Sequence, residues 1–141
     1  MLVNLLIVDH WVGISNDLQY AYAATWDVIE AAIRRLDGRE HTEVSIEKIE
    51  EDSDENEGEI SLSVGGGPGW FLVIFRSKDG SEFVPDTGNH GGGTCELVIG
   101  GQGVDFPKNM TMHLESALKV ARDFAVQSAP VVPAGWVICR G

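Results

Sequence analysis

The sequence predicts an α+β fold: one domain, residues 1–141, with a mainly antiparallel sheet of about five or six strands and two main helices, about 17–37 and 110–128. Three observations predict this class. Apolar and polar residues alternate in segments 44–49 and 60–64, as in strands with one wet face. Apolar residues recur every three or four positions in segment 114–125, as on a helix face. A length of 141 residues suits a single hydrophobic core.

The first elements are a strand and a helix. The apolar stretch Leu5–Val8 indicates the first strand. The helix predicted over 17–37 has an apolar face made by Leu18, Trp26, Ile29, Ile33 and Leu36. Arg34 and Arg35 suit its last turn, where positive charge complements the helix dipole, and Gly38 can adopt a left-handed cap.

A pair of strands follows, separated by an acidic run. Val44, Ile46 and Ile49 alternate with Ser45, Glu47 and Lys48, and the second strand alternates in the same way over residues 60–64. Residues 50–59 between them contain seven carboxylates, which cannot enter a sheet interior without a large desolvation cost. We therefore expect an exposed loop there.

The second half contains the centre of the sheet and the clearest helix. After the breaker cluster 65–69, the continuous apolar run 70–75 predicts a central strand covered on both faces. Asp79-Gly80 favours a two-residue hairpin turn to the next strand, 81–84, and a further strand is predicted over 94–99. Prolines end the second helix, and the tail 136–139 is expected to dock back on the body.

Charge and hydropathy limit the classes of partner. The formal net charge of −12 disfavours nucleic acid and anionic membrane surfaces and favours a basic partner. No apolar stretch approaches the ~20 residues that a membrane span needs, and the N-terminus lacks a basic signal-peptide region. We expect a soluble cytoplasmic protein, monomeric or weakly dimeric, with Cys95 and Cys139 as reduced thiols.

The sequence contains no recognisable catalytic, cofactor or metal motif. The glycine cluster 65–69 lacks the Lys-Ser/Thr pair of a phosphate-binding loop and leads into a strand. Asp52, Asp54 and Asn56 begin like a calcium loop, but later ligand positions do not fit. The four histidines fall on separate elements. We therefore expect no catalytic residues, no cofactor and no metal.

The acidic run and two tryptophans are the candidate binding residues. Without the seven carboxylates of the run, the formal charge of −12 would be −5, so more than half of it is concentrated in ten residues. Such a local field steers a basic protein. Tryptophan serves both cores and interface hot spots; Trp26 and Trp70 fit the core better. The candidate site therefore consists of Glu51, Asp52, Asp54, Glu55, Glu57, Trp11 and Trp136.

Three segments together resemble a known family. They are the helix end Ile33-Arg34-Arg35-Leu36-Asp37, the glycine-rich stretch Leu62–Gly66, and the C-terminal stretch from Phe106-Pro107 through Ala117-Leu118, Ala121 and Phe124 to Pro133 and Trp136. In order and spacing they resemble the immunity proteins of bacterial polymorphic toxin systems, specifically the family numbered first among them. The resemblance implies a small cytoplasmic protein without catalytic residues. It would bind and block a cognate toxin domain, often one acting on nucleic acid.

Two other functions stay open at this point. An enzyme or small-ligand protein would use a cleft near the glycine-rich segments, close to His90 and Glu96, and a defined pocket there would favour it. A structural or adaptor subunit would use the acidic run only for solubility, and a stable homodimer burying Trp11 and Trp136 would favour that function.

Overall fold

The computed structural model describes residues 2–51, 60–85, 93–128 and 130–140. In chain order the elements are β1 Leu2–Val8, β2 Trp11–Val12, β3 Ser15–Asn16, β4 Gln19–Tyr22, α1 Trp26–Arg34, β5 Glu43–Glu50, β6 Ile60–Gly66, β7 Phe71–Arg76, β8 Glu82–Pro85, β9 Thr94–Ile99, β10 Gln102–Pro107, a 3-10 turn Lys108–Met110, β11 Thr111–Met112, α2 Leu114–Val126 and β12 Trp136–Arg140.

One large sheet organises these elements. Its strand order is β12-β8-β7-β6-β5-β1-β4, with β11 beside β7, and every pairing is antiparallel. Two hairpins, β2–β3 and β9–β10, stand apart from it. The predicted α+β class and antiparallel pairing are confirmed, but the sheet has eight strands rather than five or six. The sequence did not predict β11, because two residues cannot establish an alternation, or β4, because its residues overlap the helical pattern assigned to 17–37.

Both helices pack on one face of the sheet, which we call the core face. The buried side chains of the core are mainly Leu6, Val8, Val44, Ile46, Leu62, Val64, Phe71, Val73 and Phe75 from the strands, with Ile29, Ala32, Ile33, Ala117, Leu118, Ala121 and Phe124 from the helices. The strand residues alternate and the helical ones recur every three or four positions, so each element presents one apolar face. The second predicted helix is confirmed, but it spans Leu114–Val126 rather than 110–128, because Thr111 and Met112 pair with β7 instead.

The first helix is shorter than predicted. It begins at Trp26, because residues 19–22 instead pair with β1, with Leu5 opposite Tyr22 and Val8 opposite Gln19. The assignment of Leu18 to the helical apolar face is wrong, since this side chain is exposed. Its spacing to Trp26 fitted a helix by coincidence, and the pairing with β1 decided the local structure.

Lys48 departs from the expected alternation in β5. It was predicted on the wet face, yet it is 2% exposed. Two-residue periodicity from Val44 and Ile46 places it on the core face, where its Nζ donates to the carbonyl of Ala125 at 2.9 Å and lies over the Phe124 ring. Burial lowers the pKa of this ammonium group. The long aliphatic part of the Lys48 side chain lets its ammonium group reach the C-terminal end of α2.

The opposite face of the sheet is covered at one end by the β9–β10 hairpin. Leu97 of β9 packs with Leu72 and Val84 in a second apolar cluster. The prediction that the 70–75 run forms a strand covered on both faces is therefore confirmed. The hairpin approaches β6 closely: a Cβ added at Gly65 would lie 2.8–2.9 Å from three side-chain atoms of Ile99.

We expect Gly65→Ala to lower the free energy of unfolding by about 1–3 kcal/mol, because the added methyl group overpacks the contact with Ile99. The same substitution in an Ile99→Ala background should cost less than about 0.5 kcal/mol, which urea denaturation of all four species measures. Gly103→Ala in β10 is the matched control, since its nearest neighbour would be 3.8 Å away. Equal costs of Gly65→Ala in both backgrounds would contradict the proposed packing.

Two other expectations about connections can be compared with the structure. The strands on either side of Asp79-Gly80 are antiparallel neighbours as predicted, but Ser77 and Ser81 close the turn, so its loop has three residues rather than two. The tail does dock back, because Trp136–Arg140 forms β12 on β8. Cys95 and Cys139 are not joined by a disulfide in the described part of the chain. In the described ranges, no helix has the length and apolar character that crossing a membrane requires.

Candidate functional site

Among the described residues, nothing covers part of the sheet surface opposite the helices in the way that the helices cover the core face. Directly paired residues of an antiparallel sheet project from the same face, so the register defines this surface, which we call the open face. Its side chains are Tyr20 and Tyr22 on β4, Leu5 and Ile7 on β1, Ser45 and Glu47 on β5, and Ser61 and Ser63 on β6. All of them are half-buried or exposed, whereas most of their neighbours on the core face, such as Leu6, Ile46 and Leu62, are buried.

Exposed apolar and aromatic side chains gather at the β4 edge of this face. Tyr20 and Tyr22 are 63% and 56% exposed, and Ala21 between them packs on the core side. Ile14, at the tip of the β2–β3 hairpin that precedes β4 in the chain, is 98% exposed. Tyrosine is enriched in interface hot spots because it combines a large apolar area with a hydroxyl group. This edge therefore has the composition of a protein-binding surface.

A buried aspartate holds the hairpin against the sheet. Asp9, which is 4% exposed, accepts hydrogen bonds at Oδ1 from the backbone amides of Thr42 at 2.6 Å and Glu43 at 2.9 Å. At Oδ2 it accepts from Trp11 Nε1 at 2.8 Å and from the Thr42 hydroxyl. Thr42 Oγ1 in turn accepts from the Gly101 amide at 3.1 Å. One carboxyl group thus connects β1, both hairpins and the start of β5.

The loop before β5 is fixed by a second aspartate. The Asp37 carboxyl group accepts hydrogen bonds from the backbone amides of Arg39, Glu40 and His41 at 2.9, 3.0 and 3.1 Å. Burial opposes ionisation of Asp37, but these three bonds outweigh it and lower the pKa. The loop therefore has a defined conformation and holds Glu40 and His41 beside the β2–β3 hairpin.

The fold brings together two histidines that the sequence placed on separate elements. The rings of His10 and His41 stack with centroids 5.0 Å apart and planes inclined by 24°. His10 Nε2 lies 3.7 Å from a carboxylate oxygen of Glu40. His113 lies elsewhere, against Trp70. His90, as well as the proposed ligand cleft beside it, falls outside the described residues, although Glu96 is on β9 and exposed.

The predicted binding residues lie around the sheet rather than at one point. Glu51 is exposed at the end of β5; Asp52, Asp54, Glu55 and Glu57 lie outside the described residues. Trp11 lies at the other end of β5, roughly 25 Å away for eight strand residues, and contacts Gly101. Both positions border the open face. Trp136 does not, because it packs against the core on the helix side.

The open face carries negative charge where it meets Trp11. Glu43 begins β5 on this face, and burial together with the charge of Asp9 raises its pKa. Glu47 follows two residues later on the same face. Arg76 on β7 lies two strands from Glu47 in the same row of paired residues, because Ser61 pairs with both. Its guanidinium group forms an ion pair with Glu82 at 2.6 Å. The field at this surface adds to that of residues 50–59.

Sequence reasoning missed the exposed residues of this surface. Tyr20, Tyr22 and Leu18 were read as part of a helix, although Leu18-Gln19-Tyr20-Ala21-Tyr22 alternates large and small or polar residues with the period of a strand. That alternation was the available signal. Ile14 carried none, because an isolated isoleucine beside a glycine is compatible with core, turn and surface.

The described cavities do not include a pocket with the groups that the enzyme alternative requires. A cavity of about 330 Å³ lies between the sheet and the end of α2, and its lining is mostly apolar, including Leu62, Phe75 and Phe124. A shallower recess of about 380 Å³ is lined by His10, Trp11, Val12, Gly13, Arg39 and Glu40. Neither contains Glu96.

Exposed tyrosines and apolar side chains, as on β4 and at the tip of the β2–β3 hairpin, are enriched in protein-binding surfaces. The family model for "Immunity protein Imm1" matches residues 19–129, and the chain therefore belongs to the Imm1 family of immunity proteins. The suspected family is confirmed. The fold is similar to that in a crystal structure of a hypothetical protein from Neisseria gonorrhoeae, with a TM-score of 0.60 over 92% of each chain at 12% sequence identity. The chain matches no curated protein.

Proposed function

We propose that this immunity protein binds a cognate bacterial toxin domain through the open face and blocks it by covering the toxin's substrate-binding surface. Membership of the Imm1 family supports a toxin as the partner. The observation that carries the choice of surface is the exposure of Tyr20 and Tyr22 on an edge strand whose face also bears Glu43 and Glu47.

The negative charge of the chain supports a partner with a basic surface. A toxin that acts on nucleic acid has such a surface. An enzyme that binds nucleic acid presents Lys and Arg to phosphates. A protein with a formal charge of −12 is attracted to such a surface and is repelled by nucleic acid itself. We therefore propose a toxin of a polymorphic, contact-dependent system that acts on nucleic acid, with neutralisation in the cytoplasm of the producing cell.

The acidic run 50–59 contributes mainly to the rate of association under this proposal. It continues from Glu50 at one end of the open face. We expect simultaneous Asp52→Asn, Asp54→Asn, Glu55→Gln and Glu57→Gln to lower the association rate constant about 10-fold at low salt, with little change in dissociation. Stopped-flow mixing with an inactivated toxin at several salt concentrations measures both. The control is Glu115→Gln with Asp123→Asn on α2, away from the open face.

Unchanged association and salt dependence in the fourfold variant would remove the run from the mechanism. The function itself is tested separately, by expressing the toxin-like domain encoded beside this gene in a heterologous bacterium with and without the protein. Rescue of growth and recovery of a stable complex are expected. Toxicity that this protein fails to relieve would overturn the proposed function.

A further inference from the structure

We propose that His10, Glu40 and His41 form a binding site for a transition-metal ion of the zinc class. The inference concerns metal binding alone and does not depend on the toxin. One ligand atom from each of the three side chains lies within 4.8 Å of the others. His10 follows β1 and the other two residues precede β5, so the ion would join the base of the β2–β3 hairpin to the loop that Asp37 fixes.

The ligand atoms are close enough for coordination once the side chains reorient. Ligand atoms of a tetrahedral zinc ion lie about 3.3 Å apart, because each is about 2.0 Å from the metal. His10 Nε2 and the Glu40 carboxylate are already 3.7 Å apart. Glu40 is exposed and free to adjust its side-chain torsions. The stacked rings of His10 and His41, whose planes are inclined by 24°, must also rotate so that both nitrogen lone pairs point at one ion.

The tautomer of His41 is set for metal binding. Its Nδ1 lies 2.8 Å from the backbone carbonyl oxygen of Asp9. A carbonyl only accepts hydrogen bonds, so Nδ1 carries the proton and Nε2 presents its lone pair. Metal-binding histidines usually have such an outer partner, which fixes the ring and increases the basicity of the ligand nitrogen.

His10 supplies the second imidazole. Its Nε2 is the nitrogen that lies 3.7 Å from the Glu40 carboxylate, whereas its Nδ1 is buried and has no hydrogen-bond partner among the described residues. The adjoining recess of about 380 Å³ has room for a fourth ligand from water or from a binding partner. Two imidazoles with one carboxylate favour zinc, nickel or copper over magnesium and calcium.

Calorimetric titration of the full chain with ZnCl₂ in excess MgCl₂ tests the site. One high-affinity zinc ion per chain is expected. His10→Gln, His41→Gln and Glu40→Gln should each weaken binding at least about 10-fold, since even loss of an outer partner typically costs 10- to 100-fold. His113→Gln, which changes a histidine beside Trp70, is the matched control and should bind as the parent does.

Each possible result decides the proposal. Because His41 also contacts Asp9, the exposed Glu40→Gln variant keeps the test independent of folding, and circular dichroism verifies the fold of every variant. Absence of zinc binding overturns the site. So does binding that His10→Gln and Glu40→Gln leave unchanged, or that magnesium displaces, because the metal would then be held by other groups such as the carboxylates of residues 50–59.

Discussion

Asp9→Ala is expected to lower the free energy of unfolding by about 3–5 kcal/mol, the largest stability effect that the structure predicts for a single side chain outside the apolar core. The substitution removes the acceptor of four hydrogen bonds at a buried position. The amides of Thr42 and Glu43 would lose their partner, and a buried unsatisfied donor costs about 1–3 kcal/mol. Urea denaturation followed by tryptophan fluorescence measures the loss.

The control is Asp105→Ala, because Asp105 is an exposed aspartate on β10 and should change stability by less than about 0.5 kcal/mol. Thr42→Val should fall between the two, since it removes the hydroxyl link to Asp9 and to the Gly101 amide but keeps the backbone bonds. If Asp9→Ala cost no more than Asp105→Ala, the carboxyl group would not be the connection between the two hairpins and β5.

Tyr20→Ala and Tyr22→Ala are each expected to weaken toxin binding about 30-fold, equivalent to about 2 kcal/mol, if the open face is the binding surface. Both side chains are largely exposed in the free protein, so stability should change by less than about 0.5 kcal/mol. Titration calorimetry with a catalytically inactive toxin measures the affinity, and denaturation of each variant verifies the second statement.

Val137→Ala and Ile138→Ala provide the matched comparison. These exposed apolar residues lie on β12, at the opposite edge of the same sheet. They should leave the affinity unchanged. The reverse result, with loss of binding only at β12, would transfer the interface to the edge that contains Trp136 and would refute the choice of the open face while leaving the immunity function intact.

Local periodicity was sufficient where an element has one apolar face and enough length to show it. The second helix and the strands at 60–64, 70–75 and 94–99 were predictable for that reason. Lys48 was not, because only the position of the Ala125 carbonyl explains a cation on the core face. The strand at 19–22 also depends on a partner, β1, and its alternation was shorter than the helical pattern that overlapped it.

The sequence predicted the acidic character of the candidate site but only part of the positions of its residues. The acidic run and Trp11 could be selected from composition, and Glu51 of the run and Trp11 both border the open face. Trp136 had the same composition-based support, yet its ring contributes to the core on the other side of the sheet. The pairing of His10 with His41 arises because β1 and β5 are neighbours, which no spacing in the sequence indicates.

The open face has a consequence for biosynthesis. All of its strands, β1, β4, β5 and β6, come from the first 66 residues, whereas α2, which covers the other side of the same strands, is not complete until Val126. A nascent chain therefore contains every residue of the face long before α2 can bury the side chains of Leu62 and Val64. A truncated translation product would carry the proposed binding residues on a sheet that α2 does not cover, so we expect toxin binding only from chains synthesised at least through α2.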